Sequence, residues 1–87
     1  MTILEEKIES LLRPLLHDEG VELVTIRFYN ENEDNFLELG VKMIEGTTDL
    51  NAIETVSRFI SDWLDRVDLI EDAYLLDVYA VSEPAHA

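Results

Sequence analysis

Near the start of the chain the apolar residues fall at Leu4, Ile8, Leu11, Leu12, Leu15 and Leu16. That stripe of period 3.6 predicts an amphipathic helix. Thr2 stands three residues before Glu5, the spacing of a capping box. In that motif the threonine hydroxyl accepts from the third helical N–H and the glutamate reaches back to the N-cap N–H. Gly20 is a natural stop. Pro14, inside the stripe, removes a hydrogen bond and crowds the preceding turn, so a kink or break is expected there.

Beyond Gly20 the period changes to two. VELVTIRFY, residues 21–29, places Val24, Ile26 and Phe28 on one face. FLELGVKMI, residues 36–44, sets Leu37, Leu39, Val41 and Met43 against Glu38, Gly40 and Lys42. NENEDN, residues 30–35, reads as the loop of a hairpin, so an antiparallel pair with one buried face is predicted. EGTTD, residues 45–49, is a second loop, with Asp49 or Thr48 as N-cap of a helix beginning near Leu50. The apolar face of that helix is Ile53, Val56, Ile60, Trp63, Leu64 and Val67, with Glu54, Ser57, Arg58, Ser61 and Asp62 outward. Trp63 is assigned to the core.

AYLLDVYAV, residues 73–81, is rich in aliphatic and aromatic residues and reads as a third strand. Tyr74 and Tyr79 on it suit either the core or an exposed surface. Strand two or strand three is expected to leave an open edge able to pair with a second copy of the chain. SEPAHA is a polar tail in which Pro84 stops regular structure.

The order α-β-β-α-β predicts an α+β fold, a two-layer sandwich with two helices on one face of a three-stranded sheet. Residues 1–81 form one domain and residues 82–87 the tail. Thr25, Arg27, Glu38 and Lys42 belong to the opposite sheet face. At 87 residues a chain buries roughly 60–65% of its unfolded surface, enough for one core. Absence of cysteine excludes disulfides, thiolate metal sites and cysteine nucleophiles and fits a reducing cytoplasm. No apolar run approaches the ~20 residues of a membrane span, and MTILEEKIES lacks the basic start and apolar core of a signal peptide.

Charge changes the picture most. Twenty acids oppose six bases, for a net charge of −14. Affinity for nucleic acid comes from Lys and Arg neutralising phosphates, so direct binding to RNA, DNA or anionic lipid is disfavoured. A basic protein is favoured through long-range steering, although acidity also serves solubility alone. DWLDRVDLIED, residues 62–72, puts Asp62, Asp65, Asp68, Glu71 and Asp72 at a predicted helix end. Exposed acids there oppose the helix dipole at ~0.3–1 kcal/mol each. They are candidates for docking Lys and Arg of a partner, joined by Glu31, Glu33 and Asp34 of the hairpin. The competing interpretation is a solvated helix end, with Asp65 or Asp68 capping the following turn.

Catalytic chemistry has little support. His17 sits near a helix end, where a cation favours the dipole, and His86 is in the tail. Neither has a nucleophile or ligand partner evident in sequence. Gly20, Gly40 and Gly46 are isolated, so there is no phosphate-cradling loop, and no stretch has the Asp/Asn-Gly-Glu spacing of a calcium loop. The expectation is a protein that is not an enzyme and uses no cofactor or metal.

GVELVTIRF after an interior-proline helix, then GTTDLNAIETVSRFISDWLD, then Tyr74-Leu75-Leu76-Asp77-Val78, arrive in the order seen in one family. Over about residues 3–78 the chain resembles the N-terminal domain of the RimP ribosome maturation factors. Family members continue past that strand into Ser-Ser-Pro-Gly, an Arg-Pro-Leu segment and an SH3-like barrel. Here Ser82-Glu83-Pro84-Ala85 is a faint, offset echo, and the barrel lies outside these 87 residues. The expectation is either an excised or truncated form or a divergent stand-alone relative with altered function, the native-looking Met1 start and untagged end favouring a complete short product.

The resemblance implies binding to the immature small ribosomal subunit and to a basic ribosomal protein near its decoding region, in the cytoplasm. The element order is also similar to KH-type RNA-binding modules. Those clamp a nucleic-acid backbone with a Gly-x-x-Gly loop, which this chain lacks. The alternative function class is an independent acidic interaction module: an antitoxin, an inhibitor or a mimic of nucleic-acid phosphates. A homodimer joined by strand edges is a third.

Overall fold

A computed structural model describes residues 2–81. The order is α1 (Ile3–Asp18), β1 (Val21–Glu31), β2 (Asp34–Met43), α2 (Leu50–Val67) and β3 (Leu75–Ala80), an α+β fold with a mixed sheet. The tail, with Pro84 and His86, lies outside the described residues.

Both halves of the capping box form. Glu5 N donates to Thr2 Oγ1 at 3.1 Å and Thr2 N donates to Glu5 Oε1 at 2.7 Å. The helix then runs through Pro14 without interruption, so of the expected kink or break the break does not occur. Its buried stripe is narrower than predicted: Ile8, Leu12 and Leu16, four apart, are fully buried, whereas Leu11 and Leu15 are exposed. Gly20, at φ +79°, lets the chain reverse into β1.

The hairpin is longer and its turn tighter than the six-residue loop predicted. Asn30 pairs with Asn35 and Glu31 with Asp34, leaving Asn32 and Glu33 as a two-residue connection. Both have positive φ, 53° and 71°, as the primed turns favoured between twisted strands require.

A β-bulge between Leu23 and Thr25 corrects the predicted face of strand one. One extra residue reverses the alternation. Val21 and Leu23 therefore share the buried face with Ile26 and Phe28, while Val24 is exposed. Thr25, Arg27, Glu38 and Lys42 do lie on the opposite face, with Arg27 across from Glu38.

Strand order is β1-β2-β3. β2 is thus the middle strand and supplies no open edge; the edges are β1 and β3. β2 and β3 are parallel, with Phe36 opposite Leu75 and Val41 opposite Ala80. Parallel strands need a crossover, and α2 provides it. Asp49 is its N-cap, accepting from Ala52 N at 2.9 Å, while Thr48 instead accepts from Met43 N. α1 packs beside β1 and α2 beside β3. Between helices and sheet, one core joins Ile8, Leu12 and Leu16 to Leu23, Leu37, Leu39, Val41, Val56, Ile60, Trp63 and Leu64. Trp63 is buried as predicted.

Candidate functional site

The topology decides where the acids go. α2 carries the chain back to the end of the sheet at which β2 and β3 begin, and the hairpin turn lies at that end too. Asn35 Nδ2 donates to Ala73 O at 3.1 Å, and Asp34 and Asn35 line a shallow cleft with Ala73, Tyr74 and Leu75. The hairpin acids Glu31, Glu33 and Asp34 are therefore beside the connector that carries Glu71 and Asp72.

Tyr74 ties in the helix end. It is half-buried against the core, and burial raises its phenol above the ordinary value, with the negative charges of Asp65 and Asp68 adding to the effect. Seven acids thus gather at one end. All are exposed, and no hydrogen bond or ion pair joins any of their carboxylates to another described residue. Arg66, in the last turn of α2, is the base nearest in sequence. Asp62 stands apart, lining a groove between α2 and β3 with Ile53, Ser57, Ser61 and Val78.

Asp68 ends the helix with its backbone. It is the C-cap, at φ 50° and ψ 48°, and its N–H donates to Leu64 O at 2.9 Å. Asparagine and aspartate tolerate this left-handed conformation better than most residues with a side chain. One acid of the stretch is accordingly structural through its main chain, while its carboxylate remains exposed.

Two arrangements were not legible beforehand. On the open sheet face, Arg27 lies 4.0 Å from the centre of the Tyr29 ring, Tyr29 stacks on Phe36 at 5.2 Å, and Tyr29 OH donates to Glu38 at 2.8 Å. That bond to a carboxylate holds the Tyr29 phenol above its usual range. Nearby, Thr25 Oγ1 and Tyr79 OH are 2.8 Å apart, spanning the middle strand over Gly40. A Cβ on Gly40 would press into Thr25 and sit 2.7 Å from Val81 Cγ2 and 3.0 Å from Tyr79 Cζ.

The second is Glu5, 7% exposed. Besides its capping bond, its Oε2 accepts from Phe28 N at 2.7 Å. Bonds from Thr2 and then Phe28 hold its carboxyl below the ordinary value against the opposing effect of burial. Phe28 N points out of the β1 edge, and Arg13 Nη1 donates to Leu23 O on the same edge. Two outward groups of β1 are thus occupied by α1. The only sequence signal for Glu5 was its capping spacing, which says nothing of a strand 23 residues away.

A cleft lined by Leu16, Val21, Met43, Ala52, Val56 and Phe59 has, among the described residues, Glu19 and Thr55 as its polar neighbours. His17 is exposed in the last turn of α1. Among the described residues no group of three or more His, Asp or Glu is arranged to hold a metal ion, and no helix is long and apolar enough to cross a membrane.

A family model described as the RimP N-terminal domain matches residues 11–80. That span takes in both loops, the whole sheet, α2 and every acid of the gathered end. The chain therefore belongs to the RimP N-terminal domain family, a family of ribosome maturation factors.

Proposed function

We propose that the chain assists maturation of the small ribosomal subunit in the cytoplasm by holding one of its basic proteins against the acidic end. The observation that carries this reading is the convergence of Glu31, Glu33 and Asp34 with Asp65, Asp68, Glu71 and Asp72 beside Tyr74. These carboxylates lie on three separate segments, so only the folded chain concentrates them. A field of one sign raises the rate of encounter with cationic proteins and repels polynucleotide.

The test is to immobilise the chain and pass purified small-subunit proteins over it at low and moderate salt. A restricted set of basic proteins should be retained at low salt and released as salt rises, with retention weakened by Asp65→Asn, Asp68→Asn and Glu71→Gln together. An empty low-salt bound fraction, or tight direct binding of ribosomal RNA in ordinary buffer, would overturn the proposal.

A further inference from the structure

The two edges of the sheet are treated differently. On β1, α1 occupies the outward Phe28 N–H through Glu5 and the outward Leu23 carbonyl through Arg13, which blunts it as a template for another strand. On β3 the direction of the backbone groups follows from one bond. Val81 N donates to Val41 O of β2 at 2.9 Å. Backbone groups alternate along a strand, so Leu75, Asp77 and Tyr79 also face β2, and Leu76, Val78 and Ala80 direct their N–H and C=O groups outward. Among the described residues these outward groups have no hydrogen-bond partner.

The surroundings of that edge select an occupant. A strand added there would run ~4.8 Å from β3. On the helix side it would meet Glu54, Asp62, Ser57 and Ser61, with Arg58 as the single base among the described residues lining the groove. On the open side it would meet Leu75, Asp77 and Tyr79, all exposed. Three acids against one base favour cationic side chains on both faces of the added strand, with an apolar one beside Tyr79. A second copy of this chain fits poorly, because it would bring the same acids and another −14 of charge against the first set.

We propose that the outer edge of β3 captures an extended lysine- and arginine-rich segment of a partner protein as a fourth strand. Outward N–H and C=O groups of Leu76, Val78 and Ala80 supply the ladder, Asp77 and Asp62 take cationic side chains on the two faces, and Tyr79 takes an apolar one. Main-chain pairing of this kind gives affinity, and the alternate side chains give selectivity. The inference rests on the reading that the partner is a basic protein, but it uses a different surface from the acidic end.

The test separates the two. A ten-residue peptide repeating Lys-Lys-Val-Val, which sets Lys and Val in turn along each face of a strand, is titrated into the full chain labelled with ¹⁵N, alongside the same peptide N-methylated at alternate residues, which keeps charge but cannot form a ladder. The plain peptide should bind, protect the amides of Leu76, Val78 and Ala80 from exchange, and exceed the N-methylated one in affinity by about tenfold or more, equivalent to ~1.4 kcal/mol. Equal affinities, with shifts confined to residues 31–34 and 65–74, would overturn edge capture while leaving the acidic-end reading intact. Protection along β1 instead of β3 would also overturn it, as would equal capture of a Thr-Thr-Val-Val peptide of the same length. No binding of either peptide, with basic ribosomal proteins still retained by the chain, would overturn edge capture alone.

Discussion

Removing the Glu5 carboxylate tests how α1 is fastened to the sheet. In Glu5→Ala two acceptors vanish, leaving Phe28 N–H at a part-buried strand edge and Thr2 N–H at the helix start. A hydrogen bond to a charged group contributes roughly 1.5–3 kcal/mol, and a helix cap about 1 kcal/mol. The expected loss for Glu5→Ala is therefore about 2–4 kcal/mol. That is a large share of the ~5–15 kcal/mol that holds a small domain folded. Glu5→Gln keeps one acceptor oxygen but turns an NH₂ group toward the second donor and loses the charge, so roughly half the loss is expected.

Urea unfolding followed by Trp63 fluorescence measures this. With a slope of about 1 kcal/mol per molar, the Glu5→Ala midpoint should fall by roughly 2–4 M, to the point of unfolding at 25 °C if the parent is of ordinary stability. The sign with pH follows from the depressed carboxyl. Its contribution is complete above the unfolded value, near the usual 4.5, and is lost as pH falls through the lower folded value. The gap between parent and Glu5→Gln should accordingly be constant from neutral pH down to about 5 and close below 4.5. A Glu5→Ala loss under about 0.5 kcal/mol, or a Gln gap that persists undiminished at pH 3, would refute the fastening role.

Replacing Asp62, Asp65 and Asp68 together with Asn should leave stability unchanged or slightly raised, through relief of the helix-end conflict, while calorimetry shows weaker and less salt-dependent binding of basic protein. A drop of several kcal/mol would mean those carboxylates are structural. Gly40→Ala should destabilise by about 1–3 kcal/mol through overpacking under Tyr79, and Thr25→Ala in the same chain should recover part of that loss in thermal melts. Glu33→Gly converts the Asn32-Glu33 connection to Asn-Gly, the preferred pair for a turn with both φ positive; the melting temperature should rise. If it does not, those dihedral angles are not a source of strain.

Local periodicity made most elements readable, because each depends on residues close in sequence. α2 is the clearest case. Its face of Ile53, Val56, Ile60, Trp63 and Leu64 repeats at three and four, and the cap was narrowed to Thr48 or Asp49, of which Asp49 is the one used, so both helix and core residue emerged together. The failures have a common physical origin. Nothing local distinguishes Val24 from its neighbours in VELVTIRF. It is the bulge that turns it outward; just past it Thr25 pairs with Gly40, where Thr25 and Tyr79 close over a position that has no side chain. Likewise Leu11 and Leu15 satisfy the helical stripe but lie outside the contact that α1 makes with β1.

The acids show the same divide between local and long-range information. Their residue types and exposed character were legible, since polar runs at a turn and a helix end have nowhere to be buried. Their grouping was offered as a candidate on charge alone; its geometric basis was not legible, because it depends on β3 lying parallel to β2. An antiparallel β3 would have started at the opposite end of the sheet, taking Glu71 and Asp72 away from the hairpin turn. The seven carboxylates would then form two weak fields in place of one strong one. The parallel register of Phe36 with Leu75 is thus the link between fold and proposed function, and it also leaves Leu76, Val78 and Ala80 facing outward on an unblocked edge. Both proposed contacts with a basic partner follow from the placement of that one six-residue strand. A change that unpairs β3, such as Asp77→Pro, which removes an N–H directed at β2, should abolish both while α1 and the β1–β2 hairpin keep their amide protection. Loss of protection across the whole sheet would show instead that the acidic end and the β3 edge cannot be separated from global folding.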